Sequence, residues 1–197
     1  MHQDVFIKGK HVDLIALSEN IVLESRWYAW FNDETLTYGM QKHNFPNSVD
    51  QQLTYYKNTI AGSTDRLQLG IVAHSQDSLL GIISLNNIDY INRKAEISML
   101  MGEPEGRTMN RTLESMKLLL NHGFHSLNLR RIYGGTIIEE WALLLCRTLA
   151  FQREGVFRQD VYKNGEYRDV FLVASLRSDF NKSGNLLNPG EPRQGNE

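Results

Sequence analysis

Apolar residues along the chain recur at two different spacings, and the switches between them outline its elements. Val12 to Leu17 (VDLIAL) alternates weakly and predicts a strand. Ser18 is placed to cap a helix that starts near Glu19 and runs through VLESRWYAWFND, where Trp27, Trp30 and Phe31 fall at helical spacing. KHNFPNS interrupts the pattern, and Ser48 caps a second helix, VDQQLTYYKNTIAG. RLQLGIVAH and SLLGIISLNNI, separated by the polar SQD, predict a hairpin, and KAEISMLMG follows as a third strand. Leu113, Met116, Leu120 and Phe124, three and four apart, predict one face of a long helix. LRRIYGGTII then reads as a strand and EWALLLCRTLAF as a helix. GVFRQDVYK and YRDVFLVASL flank Asn164-Gly165, the dipeptide of a tight antiparallel hairpin.

From Arg177 onward, RSDFNKSGNLLNPGEPRQGNE is rich in Gly, Asn and Pro and predicts a flexible tail over 177–197. The fold class is α+β, with one domain over 1–176, about seven strands and about four helices.

Composition narrows the function classes. With 197 residues, 41% of them hydrophobic, the chain is long enough to bury a core as one domain. A net charge of −2 gives no basic footprint for nucleic acid. No apolar run reaches the roughly 20 residues of a membrane span, and MHQDVFIKGK has no apolar signal core. The single cysteine, Cys146, rules out an internal disulfide and a multi-cysteine zinc site. His122 and His125 lie three apart with no third ligand in view, so no metal is expected. A cytoplasmic location is the expectation.

Candidate chemistry concentrates where the long helix begins. A helix start exposes unpaired amides and the positive end of the macrodipole, which suits phosphate. In EGRTMNRT, Gly106 can permit an unusual turn, and Arg107 and Arg111 can add charge-assisted bonds to a pyrophosphate. Taken alone, the same residues also suit an ordinary capped helix with solvated arginines.

The neighbouring segments change that reading. GIISLNNIDYINRKAEISMLMGE, LESMKLLLNHGFHSLNLRRIYGGTI and LAFQREGVFRQDVYKNGEYRDVFLVASL together resemble the GCN5-related N-acetyltransferases (GNAT), in particular their ribosomal-protein and amino-sugar branch, over about Lys8 to Leu176. The resemblance implies a mixed, mostly antiparallel sheet splayed at its middle strands and acetyl-CoA as co-substrate. It implies a coenzyme loop at Arg107, Thr108, Met109, Asn110, Arg111 and Thr112, where Asn110 and Thr112 replace small residues of the family pattern. Glu139 stands where the family has Asn, Ala142 keeps the small residue, and AF (Ala150-Phe151) replaces GF.

Further roles follow from the same resemblance. Amides around Met99, Leu100 and Met101 would receive the oxyanion. Glu96 would be the general base and Cys146 would protonate the departing thiolate. His43 lies in a segment that in this family walls the acceptor site, and Tyr28, Trp30 and Tyr38 would either line the same cleft or pack into the core. The expected acceptor is a small amine, first a nucleotide-linked amino sugar of surface-polysaccharide synthesis, with no nucleic-acid or membrane partner and a second copy of the chain as a homodimer. The alternatives are a ribosomal-protein N-terminal acetyltransferase and a non-catalytic GNAT-shaped scaffold.

Overall fold

The computed structural model describes residues 4–40, 44–74 and 78–184. An eight-stranded sheet runs through the molecule in the order β1-β2-β3-β4-β5-β6-β8-β7. Its strands are β1 (Val5–Ile7), β2 (Val12–Ala16), β3 (Leu67–Ala73), β4 (Leu79–Asp89), β5 (Lys94–Met101), β6 (Arg131–Thr136), β7 (Gln152–Lys163) and β8 (Glu166–Leu176). Every pairing is antiparallel except β5 with β6. Seven of the eight strands were expected; the additional one, β1, is three residues too short to show a period. The β7–β8 turn carries Asn164 at φ 51° and Gly165 at φ 86°, the left-handed pair that a two-residue hairpin of matching twist demands. The SQD turn lies outside the described residues.

The first expected helix is three short ones: α1 (Glu19–Glu24), α2 (Trp27–Trp30) and α3 (Glu34–Thr37). Small polar side chains break it by offering the backbone other partners. The Ser25 hydroxyl accepts from the Trp27 amide (3.4 Å), and Asp33 Oδ1 accepts from the Thr35 and Leu36 amides (2.9 and 3.4 Å). Next, α4 (Val49–Tyr55) begins with a full capping box between Ser48 and Gln51 and ends in a π-turn over Tyr56–Ile60. The long helix is α5 (Met109–His125), followed by α6 (Glu139–Thr148) and α7 (Arg177–Lys182).

Two apolar clusters flank the sheet. On one face Met116, Leu119, Leu120 and Phe124 of α5 pack with Leu14, Ile71, Ile83, Leu85, Ala95 and Ile132. On the other, Ile21, Val22, Trp27 and Trp30 pack with Ile15, Val72, Ile82 and Leu100. Alternation explains the split, because Ile82 and Ile83 face opposite sides of β4. Among the described residues no helix is long and apolar enough to cross a membrane.

The expected boundary at Arg177 is corrected. Residues 177–182 form α7, and Phe180 is fully buried in the α5-side core, its ring centroid 5.3 Å from that of Phe124. Burying one aromatic outweighs the polar composition around it.

His122 is half-buried, edge-on to Phe6 with ring centroids 5.0 Å apart, and burial holds its pKa below the ordinary value of 6.5. The unfolded chain takes up the proton first, so this contribution to stability is present above that pH and is lost as pH falls below it. Thermal melts at pH 7.5 and 5.0 should therefore show a smaller acid loss for His122→Gln than for the natural chain. Equal losses would place the acid sensitivity elsewhere.

Candidate active site

The parallel ladder between β5 and β6 holds at Lys94↔Arg131, Ala95↔Ile132 and Glu96↔Tyr133 only. Beyond Glu96 the two strands part, although β5 continues to Met101 and β6 to Thr136. The β4 side of β5 stays paired as far as Met101↔Gly81. Backbone from Ile97 to Met101, which includes the Met99, Leu100 and Met101 amides expected to receive the oxyanion, thus has one edge with no ladder partner. An unpaired strand edge is a row of amides and carbonyls ready for an extended ligand.

Both helices that follow these strands start at the wide end of the gap. β5 passes through a 3₁₀ turn at Pro104–Gly106 into α5, and β6 passes through two residues into α6. The turn is folded back on β4 by the Gly102 and Glu103 amides, which both donate to the Leu80 carbonyl (2.9 and 3.0 Å). Gly106 serves this contact and not an unusual backbone: its φ is not positive, and a Cβ there would stand 3.1 Å from both Leu80 Cβ and Met101 Cε.

Thr108 caps α5, its hydroxyl accepting from the Arg111 amide at 3.4 Å. Met109 and Asn110, the first two residues of α5, lie ahead of the first intrahelical bond and keep their amides unpaired within it. The Arg107 guanidinium donates to the Gly102 carbonyl (2.7 Å) and that of Arg111 to the Glu105 carbonyl, so both cations are pinned beside the helix start. No residue from Arg107 to Thr112 has positive φ. Asn110 and Thr112 therefore replace the family's small residues without backbone strain.

At the start of α6, Glu139 is not a free charge. Its carboxylate accepts from Arg153 Nη1 at 2.7 Å and stands in the first turn, where the helix dipole also favours an acid. Ala142 is 2% exposed and belongs to the core, which corrects the expected coenzyme contact. Cys146 is half-buried and packs against the same core, as a small apolar residue would.

On the α4 side of the sheet lies a cleft of about 840 Å³. Its floor continues the face of Ile82 and Leu100 beyond the point where the second core stops. There the same alternation places Gln68, Ser84 and Ser98 in one row across three strands, and Asn86 with Glu96 in the next. Ser84 Oγ and Ser98 Oγ are 2.8 Å apart, and Asn86 Nδ2 donates to Ser98 Oγ at 2.9 Å. Asn47, Gln51 and Gln52 add amides from the α4 side, while Phe31, Phe45 and Tyr55 supply the aromatic surfaces.

Glu96 is half-buried in this floor, and the only hydrogen bond to its carboxylate among the described residues comes from Asn87 Nδ2 at 3.4 Å. The aromatics named from the sequence lie elsewhere. Trp30 is 2% exposed in the second core, where its indole N–H donates to Glu103 Oε1 at 2.9 Å. Tyr28 and Tyr38 do not line the cleft. These three are corrected because helical spacing shows which residues share a face without showing what covers it. His43 lies outside the described residues. The legible signal that was missed is polar residues at alternate positions of otherwise apolar strands: Ser84 and Asn86 in β4, Glu96 and Ser98 in β5.

An opened parallel strand pair with two helix starts at its mouth, beside a polar cleft holding a carboxylate with no ion-pair partner among the described residues, can align an amide-bearing thioester with an amine. The acetyltransferase (GNAT) domain model matches residues 23–142, from α1 into α6, a stretch that contains the opened strands and most of the cleft. The chain belongs to that family and is an N-acetyltransferase with acetyl-CoA as donor, so the scaffold alternative is set aside.

Spermidine N(1)-acetyltransferase of Vibrio cholerae serotype O1 (strain ATCC 39315 / El Tor Inaba N16961) is 32% identical over 135 residues, covering 68% of this chain and 76% of its own. A Bacillus subtilis (strain 168) protein named for ribosomal N-acetylation, YdaF, is 30% identical over 105 residues, 52% of this chain and 56% of its own. The crystal structure of spermidine N-acetyltransferase from Vibrio cholerae in complex with CoA and spermine superposes with a TM-score of 0.78. It covers 88% of this chain and 99% of that one, at 22% identity, and establishes the shared fold. None of these is named for an amino sugar.

Proposed function

We propose that the chain moves the acetyl group of acetyl-CoA to the primary amine of a nucleotide-linked amino sugar bound in the cleft. The observation that carries this reading is the floor itself, built of amides and hydroxyls with Glu96 as the lone carboxylate among the described lining residues. Sugar hydroxyls, which donate and accept, and ring oxygens, which accept, pair with such a surface of amides and hydroxyls. A polyamine brings several ammonium groups, and each one desolvated needs its own anion.

In this reading Glu96 takes the proton of the attacking ammonium, directly or through water. The amine attacks the thioester carbonyl where it lies along the free edge of β5, and amides among Met99 to Met101 receive the oxyanion. On collapse the nitrogen sheds its second proton, which reaches the departing thiolate through solvent, as Cys146 packs into the core. The unpaired amides of Met109 and Asn110, with Arg107 and Arg111 beside them, hold the pyrophosphate.

Spermidine is the second reading, favoured by the named relative from Vibrio cholerae. Thiol release measured with a nucleotide-linked 4-amino sugar and with spermidine decides between them. We expect kcat/KM to favour the sugar by about 100-fold, near 2.7 kcal/mol. A preference for spermidine would overturn the acceptor assignment while leaving acetyl transfer intact.

The coenzyme assignment has its own check. Arg107→Ala should raise KM for acetyl-CoA about tenfold, the worth of one charge-assisted bond, with little change in kcat. An unchanged KM would remove Arg107 from the coenzyme site.

A further inference from the structure

Arg66 precedes β3 at the edge of the same cleft. Extending the β3–β4 register by one residue from Leu67↔Leu85 sets it opposite Asn86, whose own partner on β5 is Glu96. Arg66, Asn86 and Glu96 therefore form one row straight across three strands. Two interstrand steps of about 4.8 Å separate the outer backbones by roughly 10 Å.

One guanidinium nitrogen of Arg66 is already held. Nη1 donates to Asn86 Oδ1 at 2.6 Å and to the Tyr55 hydroxyl at 3.2 Å, and that hydroxyl donates on to Gln68 Oε1 at 3.4 Å. Guanidinium carries five donors in a rigid plane, so Nε and Nη2 retain three with no acceptor among the described residues. Neither Arg66 nor Glu96 has an ion-pair partner among the described residues. One cleft thus holds the Arg66 cation and the Glu96 carboxylate with no ion pair between them among the described residues.

We infer that Arg66 is an anion anchor, and that the acceptor carries a phosphate or carboxylate a few bonds from its reacting amine. The amine then meets Glu96 on β5, beside the opened edge where the thioester lies. The anion meets the free Nε–Nη2 edge two strands away, which matches the planar fork that guanidinium offers oxyanions. The same cation repels the distal ammonium of a polyamine laid along this row. This inference rests on the cleft being the acceptor site and extends it to the class of molecule accepted.

The test uses amine acceptors that differ in the anion they carry: an aminohexose 1-phosphate, its methyl glycoside with the same amine and a neutral anomeric group, and glutamate as a carboxylate-bearing amine. Each is measured by thiol release and by calorimetric binding to the protein with CoA present, for the natural chain, Arg66→Gln and Arg66→Lys. We expect the natural chain to favour the phosphorylated sugar over the neutral one by about 100-fold, the scale of a charge-assisted bidentate contact.

Arg66→Gln should bring that ratio close to one through KM, and Arg66→Lys, which keeps charge without the fork, should fall between. A melting temperature within a few degrees of the natural chain shows that the variant is folded. Preference for glutamate over the sugar phosphate would support the anchor and assign it a carboxylate, while overturning the sugar reading. Equal binding of charged and neutral acceptors, binding of neither, or an equal loss for both in Arg66→Gln would overturn the anchor, whichever acceptor is acetylated.

Discussion

Glu96→Gln is expected to lower kcat at pH 7 by about 10²–10³-fold, the usual worth of a positioned general base, and to regain much of the loss as pH rises toward the acceptor's own pKa. Glu96 has no cationic partner among the described residues. The two cationic neighbours in sequence, Arg93 and Lys94, make no ion pair with this half-buried carboxylate. Arg93 turns away to the Asn128 carbonyl and side-chain oxygen, at 2.8 and 2.6 Å, and Lys94 makes no ion pair among the described residues. Glu96 keeps one long bond from Asn87 and otherwise faces the cleft, one residue before the backbone edge freed by the β5–β6 opening. Glutamine preserves the shape and can still accept from Asn87, so a loss of rate reports the lost proton acceptor. Steady-state rates between pH 6 and 10 provide the check. A profile parallel to that of the natural chain would show that another group, or water alone, takes the proton.

Ending the chain after Leu176 is expected to cost about 3–5 kcal/mol, a drop of roughly 10 °C in melting temperature for a protein of this size. Most of that is Phe180. Its ring is fully buried against Phe124 and the α5-side core, and its removal leaves a cavity where an aromatic side chain stood. The remainder comes from polar ties that dock α7: the Arg177 amide donates to the Arg130 carbonyl (3.0 Å), and Gln152 Nε2 donates to Asp179 Oδ2 (3.2 Å). Phe180→Ala in the full chain should reproduce most of the loss, and Phe180→Leu a smaller part. Urea titrations of the three variants test this. A truncated chain as stable as the intact one would show that the core closes without α7.

Much of this protein is legible without coordinates. Alternation and 3.6-residue spacing place seven strands and the long helix, because each element's burial is written into its own residues. Asn164-Gly165 announces its hairpin, since few other residues adopt two successive left-handed conformations. The family resemblance pointed to the start of α5 for the coenzyme and to Glu96 for the base, and the structure sets Glu96 in the cleft. Local patterns failed where the deciding neighbour is distant in sequence. Trp30 sits at a spacing that suits either a cleft wall or a core, and only the packing of α2 against β4 and β5 puts it in the core. Phe180 looks solvated among Ser, Asp and Asn until its contact with Phe124 is seen.

The row of Arg66, Asn86 and Glu96 joins residues 30 apart along the chain. Strand period states which face each residue takes, but only register states which residues stand abreast. By itself the sequence determined most of the elements and the family. Tertiary pairing decided where the sheet opens and which charges share the cleft, because both are properties of strands side by side and not of any strand alone.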